Sequence, residues 1–201
     1  MLSDVRALGD GHNIADPAFD QFRAKVLEQD GVDGIEDLPV NFRGMVAEKN
    51  EVELTDLMNR YAEEKMAVEV YQSQHMQVFG WLSPVVANSY ASQSLAGTGL
   101  NTYHRFLREA ETLRFSFIDG LNKAHIGALS YADDINRNKD EAASSRARIS
   151  SENWNVLQEF EFSPASTADR WQGAAHPFIM LLVWFAALTV AGLILAQRMK
   201  P

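Results

Sequence analysis

Leu54, Leu57, Tyr61, Val68, Tyr71, His75 and Val78 recur at intervals of three to four residues, with charged side chains between them. That period puts them on one stripe of a helix and predicts about 30 residues of amphipathic helix reaching Leu82, where Ser83 and Pro84 interrupt or restart it. Tyr103, Phe106, Leu107, Ala110, Leu113, Phe117, Leu121 and His125 form a second stripe and predict a second long helix. Between the two, "PVVANSYASQSL" (Pro84–Leu95) is apolar and small and predicts a shorter helix that ends near Gly97 and Gly99. Upstream, "DPAFDQFRAKVLEQDG" carries its own punctuation. Asp16 can cap it, Pro17 fits a first turn, Phe19, Phe22, Val26 and Leu27 share a face, and Gly31 can end it. "VDGIEDLPVNFRGM", with Gly34, Pro39 and Gly44, reads as a connector. Tyr131 to Ser151 is polar and charge-mixed, which fits a mobile connection or a solvated helical extension. "WNVLQEFEF" alternates weakly and fits an extended segment or a short helix. The expected fold is mostly α: two long amphipathic helices packed against shorter ones in a soluble domain over residues 1–170.

The tail breaks this pattern. From Pro177 to Gln197 no side chain is charged, and a helix rising about 1.5 Å per residue needs roughly 20 residues to cross about 30 Å of hydrocarbon. Residues 177–197 therefore predict a transmembrane helix. His176 and Pro177 open it, Pro being tolerated where a first-turn N–H has no partner, and Arg198 and Lys200 in the basic tail 198–201 stop it. Pro177, Trp184, Arg198 and Lys200 are its expected anchors, and membrane lipid its expected surroundings.

Composition narrows the possibilities. With one span in 201 residues, about 175 remain for a soluble domain, enough to bury a core. A formal net charge of -9 argues against nucleic acid, since nothing would neutralise the phosphates. The absence of cysteine excludes disulfides, thiol catalysis and cysteine-ligated zinc or iron–sulfur sites. The first 20 residues hold no apolar run able to direct export, whereas Arg198 and Lys200 favour a cytoplasmic C-terminus with the domain outside. Two resolutions follow: a hydrophobic segment ahead of Met1 in a longer protein, or a tail-anchored chain with its domain in the cytosol.

Catalytic motifs are not found. There is no phosphate-cradling glycine loop, no His-Glu-x-x-His and no nucleophile elbow, so no catalytic residue, cofactor or metal is assigned and a non-enzymatic role is expected. Asp134, Asn136, Asn138 and Asp140 alternate as calcium-loop ligands do, but Lys139 stands where the loop requires Gly and Ser145 where it requires Glu. His75 and Met76 point apart on a helix and do not make a copper site with His104. Glu111 can pair with Arg114 or Arg108 on one helix face; spacing alone favours a solvated face, where such pairs contribute only about 0–1 kcal/mol.

Four segments in order carry a resemblance: "LPVNFRGMV" (Leu38–Val46), the long helix ending at Ser83-Pro84, "SLAGTGLNTYHRFLREAETLRFSFIDGLN" (Ser94–Asn122), and "EFEFSP" ahead of the apolar tail. Together, over roughly residues 35–197, they resemble the type-2 ABC exporter permeases whose first two membrane helices are separated by a large extracytoplasmic domain. In that family a small-Gly-Thr/Ser-Asp turn precedes a helix bearing an aromatic residue, then Ala-Glu and Arg. Gly97, Thr98, Phe106, Ala110, Glu111 and Arg114 match it, while Gly99 stands in place of the acid. Asn41, Arg43 and Gly44 match the connector motif and Asn122 the end of the long helix. The resemblance implies that these residues hold the domain together or contact a partner, without catalysis. It further implies an extracytoplasmic domain and its following helix from a larger permease in the inner membrane. The partners implied are other permease helices or subunits, a separate ABC ATPase that hydrolyses ATP, and a periplasmic protein. The competing expectations are a single-pass sensor or scaffold whose helix pair binds a ligand or protein, and a tail-anchored cytosolic adaptor.

Overall fold

The computed structural model describes residues 1–156 and 159–199. Among the described residues the regular structure is helical, with no strand, as the periodicity predicts. The elements are α1 (Leu2–Ala7), α2 (Asp20–Asp30), α3 (Phe42–Val78), α4 (Pro84–Ala96), α5 (Leu100–Ala128), α6 (Tyr131–Ile135), α7 (Glu141–Arg146) and α8 (Thr167–Arg198). Single 3-10 segments lie at Pro17–Phe19, Ile35–Asp37, Phe79–Trp81 and Ser151–Val156. The chain forms two compact units: unit 1 from Met1–Glu63 and Ala110–Phe160, unit 2 from Glu64–Glu109 and the chain from Glu161 onward. The boundary falls inside α3 and inside α5.

Unit 1 is built around an apolar core. Asp16 accepts the Ala18 N–H at 2.9 Å and Gly31 closes α2 at φ 65°, so the 3-10 segment delivers Phe19 and α2 delivers Val26 to a cluster with Leu38, Phe42 and Val46. The rings of Phe22 and Phe42 stack at 6.0 Å over this cluster. Here α3 starts at Phe42, a dozen residues before the stripe beginning at Leu54. The cause is a cap: the Asn41 side chain accepts the Arg43 N–H at 3.0 Å, and Phe42 and Val46, four apart, then share the buried face. The charge-mixed segment after Tyr131 is likewise ordered, as two short helices. Ser130 accepts the Asp133 N–H, Asp140 accepts the Ala143 N–H, and Asp134 and Ala143 are buried. Of "WNVLQEFEF", the first part is 3-10, Leu157 and Gln158 lie outside the described residues, and Glu159 to Ala165 is irregular.

In unit 2, α4 and α8 pack antiparallel through small residues. Ala87 and Ala91 on α4 are buried, Ser94 faces Gly173, and Ala174, Pro177 and Met180 form the buried line of α8. Pro177 does not open this helix. It lies inside α8, which starts at Thr167 because Ser166 and Asp169 form a reciprocal capping box ten residues upstream. Pro177 leaves the Gly173 carbonyl without its helical donor. From Leu182 to Leu195 large apolar side chains stand exposed around α8, and only 6% of its most apolar window is buried, so no core among the described residues covers it. It is one helix long and apolar enough to cross a membrane.

The predicted stripe on α3 divides between the units. Leu57 is buried and Leu54 and Tyr61 half-buried in unit 1. In unit 2, however, Val68, Tyr71 and Val78 are 54%, 62% and 61% exposed. The inward positions there are Met66 and the half-buried Glu69, Ser73 and Gln77. A strict seven-residue pattern drifts about 20° per repeat on a straight helix, and the two ends of α3 answer to different packing units.

Candidate functional site

Three polar constructions stand out, two in unit 1 and one in unit 2. In unit 1, Asp134 is fully buried at the end of α6. Its Oδ2 accepts from Asn41 Nδ2 at 3.0 Å and from His125 Nε2 at 2.8 Å. Arg137 donates to Oδ1 through Nη2 and to the Asp134 carbonyl through Nε. A carboxylate out of water is tolerated only with such partners, because breaking a buried ion pair costs about 3–5 kcal/mol. Asn41 joins the network to the backbone: its N–H donates to the Ile126 carbonyl at 3.1 Å while its side chain caps α3. Gly44 allows this approach, since a Cβ there would lie 2.9 Å from Ile126 Cγ1 and 3.0 Å from the Ile126 backbone nitrogen.

Burial first, then the nearby Arg137 and Arg43 charges, hold the His125 pKa below its ordinary 6.5. Its contact with Asp134 alone would favour the imidazolium, but Asp134 is shared with Arg137, and burial together with the two guanidiniums favours the neutral ring. The imidazole is therefore neutral near pH 7 and donates to Asp134 through Nε2–H.

Also in unit 1, Arg114 on α5 grips Glu111 through Nε and Nη2 at 2.8 and 2.7 Å. It reaches α3 through Nη1 to Glu51 at 2.7 Å and Nη2 to Thr55 at 2.9 Å. The Glu111 bonds foremost, then Glu51, hold its pKa above the ordinary arginine value against partial desolvation. The pair predicted from spacing thus forms on the exposed face the spacing favoured, and Arg114 extends it into a clasp to Glu51 and Thr55 on α3.

Unit 2 has an open-sided chamber of about 780 Å³ among α3, α4, α5 and the start of α8, lined by both apolar residues and polar ones that include Ser73, Gln77, Gln93, Asn101 and Arg105. At its edge the buried His104 donates Nε2–H to Glu69 at 2.8 Å. The irregular segment after Glu161 runs along α5: Ser163 N–H donates to Glu109 at 3.1 Å, Arg105 donates to the Ser163 carbonyl, and Phe106 meets Phe162 edge to face at 5.8 Å. Arg170 bonds the Ala165 carbonyl and lies under Gly97, whose φ of 68° closes α4 in a Schellman turn.

The residues matched by motif do not form one site. Asn41, Arg43 and Gly44 converge with the end of α5 in unit 1, where Asn122 lies half-buried one turn before Ile126; Glu111 and Arg114 form the clasp. Gly97, Thr98 and Phe106 belong to unit 2. Gly99 supplies no side-chain cap to α5; its carbonyl accepts from Thr102 and Tyr103. Of the anchors, Pro177 is buried against α4, and Trp184 is half-buried and donates Nε1–H to the Gly80 carbonyl at 3.2 Å. Arg198 ends α8, and Lys200 lies outside the described residues. Sequence inspection missed Asp134 as the partner of Asn41, and His125 and Arg137 as the partners of Asp134. The one local signal was an Asp three residues before an Arg. The calcium-like spacing has another use: Asp134 serves this network and Asp140 caps α7.

A family model described as a domain of unknown function (DUF3526) matches residues 1–163. The chain belongs to this family. The DUF3526 match takes in all of unit 1 and the α3–α4 hairpin of unit 2, and stops just ahead of α8. Neither a curated protein nor a solved structure matches the chain.

Proposed function

We propose that the chain supplies the helical extracytoplasmic domain, and the membrane helix after it, of a permease-type component of an ABC exporter in the inner membrane. The observation that carries this reading is α8. Its first turns pack on α4 and its later turns present apolar side chains on every side, so the end of the helix requires an apolar solvent that the described chain does not provide. Arg198 favours a cytoplasmic end and hence an outward domain. The ordered resemblance of Leu38–Val46, Ser94–Asn122 and the segment before α8 to type-2 exporter permeases supplies the functional class. In this role the domain guides substrate or binds a periplasmic partner, other helices complete the path, and a separate nucleotide-binding subunit hydrolyses ATP. The asparagine network and the arginine clasp keep unit 1 rigid.

The test is purification of the tagged full chain from mildly solubilised inner membranes. Stoichiometric recovery of a nucleotide-binding ATPase is expected; recovery of the membrane-inserted chain without one would overturn the exporter assignment. The chamber in unit 2 favours a second reading, a single-pass sensor that takes a small polar ligand there. That reading predicts transmembrane signalling partners in place of the ATPase.

A further inference from the structure

The tip of the α3–α4 hairpin has the wrong surface for water. Between Val70 and His104 no Asp, Glu, Lys or Arg occurs, and at the turn Val78, Phe79, Trp81, Leu82 and Val85 are all exposed, Leu82 and Val85 by 74% and 75%. A contiguous exposed apolar patch of this kind marks an interaction surface. Its place in unit 2 says what the partner is. Gly80, at the centre of the turn, is so close to α8 that a Cβ on it would lie 2.6 Å from Met180 Sδ. Its carbonyl accepts from Trp184 Nε1 at 3.2 Å. The Trp81 ring meets His176 edge-on at 6.1 Å. The tip is thus held beside His176 to Trp184, across the start of the uncharged stretch of α8.

At about 1.5 Å per residue, Met180 and Trp184 lie roughly 5 and 10 Å beyond Pro177 along the helix. That matches the about 5–10 Å to which interfacial helices sink their apolar faces at the headgroup–acyl boundary. We propose that the turn from Val78 to Val85 is a second membrane-contacting element, immersed in the headgroup–acyl boundary beside α8 without crossing the bilayer. The occupant of the patch is lipid, because the patch is continuous with the apolar surface of α8 and carries no charge to pair with a protein partner. The turn needs no lipid-exposed broken backbone deep in hydrocarbon: the Ser83 N–H bonds the Phe79 carbonyl at 2.9 Å, and the Gly80 carbonyl is held by Trp184. The inference rests on α8 being a membrane span.

The chain contains no cysteine, so single-cysteine variants of the full chain can be spin-labelled directly. Leu82→Cys and Val85→Cys report on the tip, Lys65→Cys on a solvated part of α3, and Leu188→Cys on the span. In nanodiscs of phosphatidylcholine and phosphatidylglycerol, power saturation compares collisions with oxygen, which concentrates in lipid, and with a water-soluble nickel chelate. The expected result is oxygen dominating at positions 82, 85 and 188 and the chelate dominating at 65. Chelate dominance at 82 and 85 with oxygen dominance at 188 would overturn the proposal and leave the span intact. Exclusion of both reagents at 82 and 85 would also overturn it, by showing the tip covered by protein. Chelate dominance at 188 would remove the span and the proposal together.

Discussion

Unit 1 and unit 2 are made from the same two long helices and solve opposite problems. Unit 1 puts Phe19, Val26, Leu38, Phe42 and Val46 inside and surrounds the fully buried carboxylate of Asp134 with three donors, which is how a domain satisfies itself in water. Unit 2 puts Glu69, Ser73 and Gln77 on its inward side and leaves Val68, Tyr71, Val78 and most of α8 outside. The difference teaches that one apolar repeat along α3 meets a core in unit 1 and faces outward in unit 2. In unit 1 Leu57 of the stripe is buried; in unit 2 Val68, Tyr71 and Val78 stay more than half exposed.

Substitutions can break or sharpen this contrast. Phe42→Ala, in the centre of the unit 1 core, is expected to cost about 3–5 kcal/mol, read as a loss of urea stability followed by helical circular dichroism of the micelle-bound chain. A cost below about 1 kcal/mol would mean the core is not what holds unit 1. Asp134→Ala strands Asn41 and His125 and is expected to cost about 3 kcal/mol in the same assay. Gly44→Ala drives a methyl against the Ile126 backbone and is expected to cost about 1–3 kcal/mol. Gly127→Ala, on α5 with nothing within 4 Å of the new carbon, is expected to be neutral or to gain up to about 1 kcal/mol.

The pH dependence has a definite sign. The His125 pKa is lower folded than unfolded, so the unfolded chain binds more protons and stability falls as pH drops below about 6.5 toward the folded pKa. The carboxylates held below their ordinary 3.8, among them Asp16 and Asp133, lose their contribution only at lower pH. Between pH 6.5 and 5 the slope is therefore expected to disappear in His125→Gln. A slope unchanged by that substitution would mean that His125 takes up its proton equally in the folded and unfolded chain. The smallest effect belongs to unit 2: Tyr71→Ala, on the exposed stripe, is expected to change stability by less than about 0.5 kcal/mol in micelles. An effect as large as that of Phe42→Ala would erase the distinction between the units.

The legible parts were those written in neighbouring residues. Asp16, Pro17 and Gly31 delimit α2 within a few positions, and the uncharged run after Pro177 gives α8 its apolar half. What was not legible depended on distance or on a competing local signal. Asn41 and Asp134 are 93 positions apart, and nothing near either announces the other. Pro39 and Gly44 suggested a connector and masked the cap at Asn41 that starts α3. Pro177 suggested a helix start, while the actual cap at Ser166 precedes a polar first turn with no apolar stripe. The inversion of α3 in unit 2 could not be read, because periodicity fixes which residues share a face and is silent about what that face meets.

The most direct test of the account is the side of the membrane on which unit 1 stands. Lys25→Cys, on the exposed face of α2, provides a single thiol in the full chain, and a membrane-impermeant maleimide can be applied to spheroplasts and to inverted vesicles. The account predicts labelling in spheroplasts and protection in inverted vesicles. Labelling confined to inverted vesicles would put unit 1 in the cytosol and contradict it.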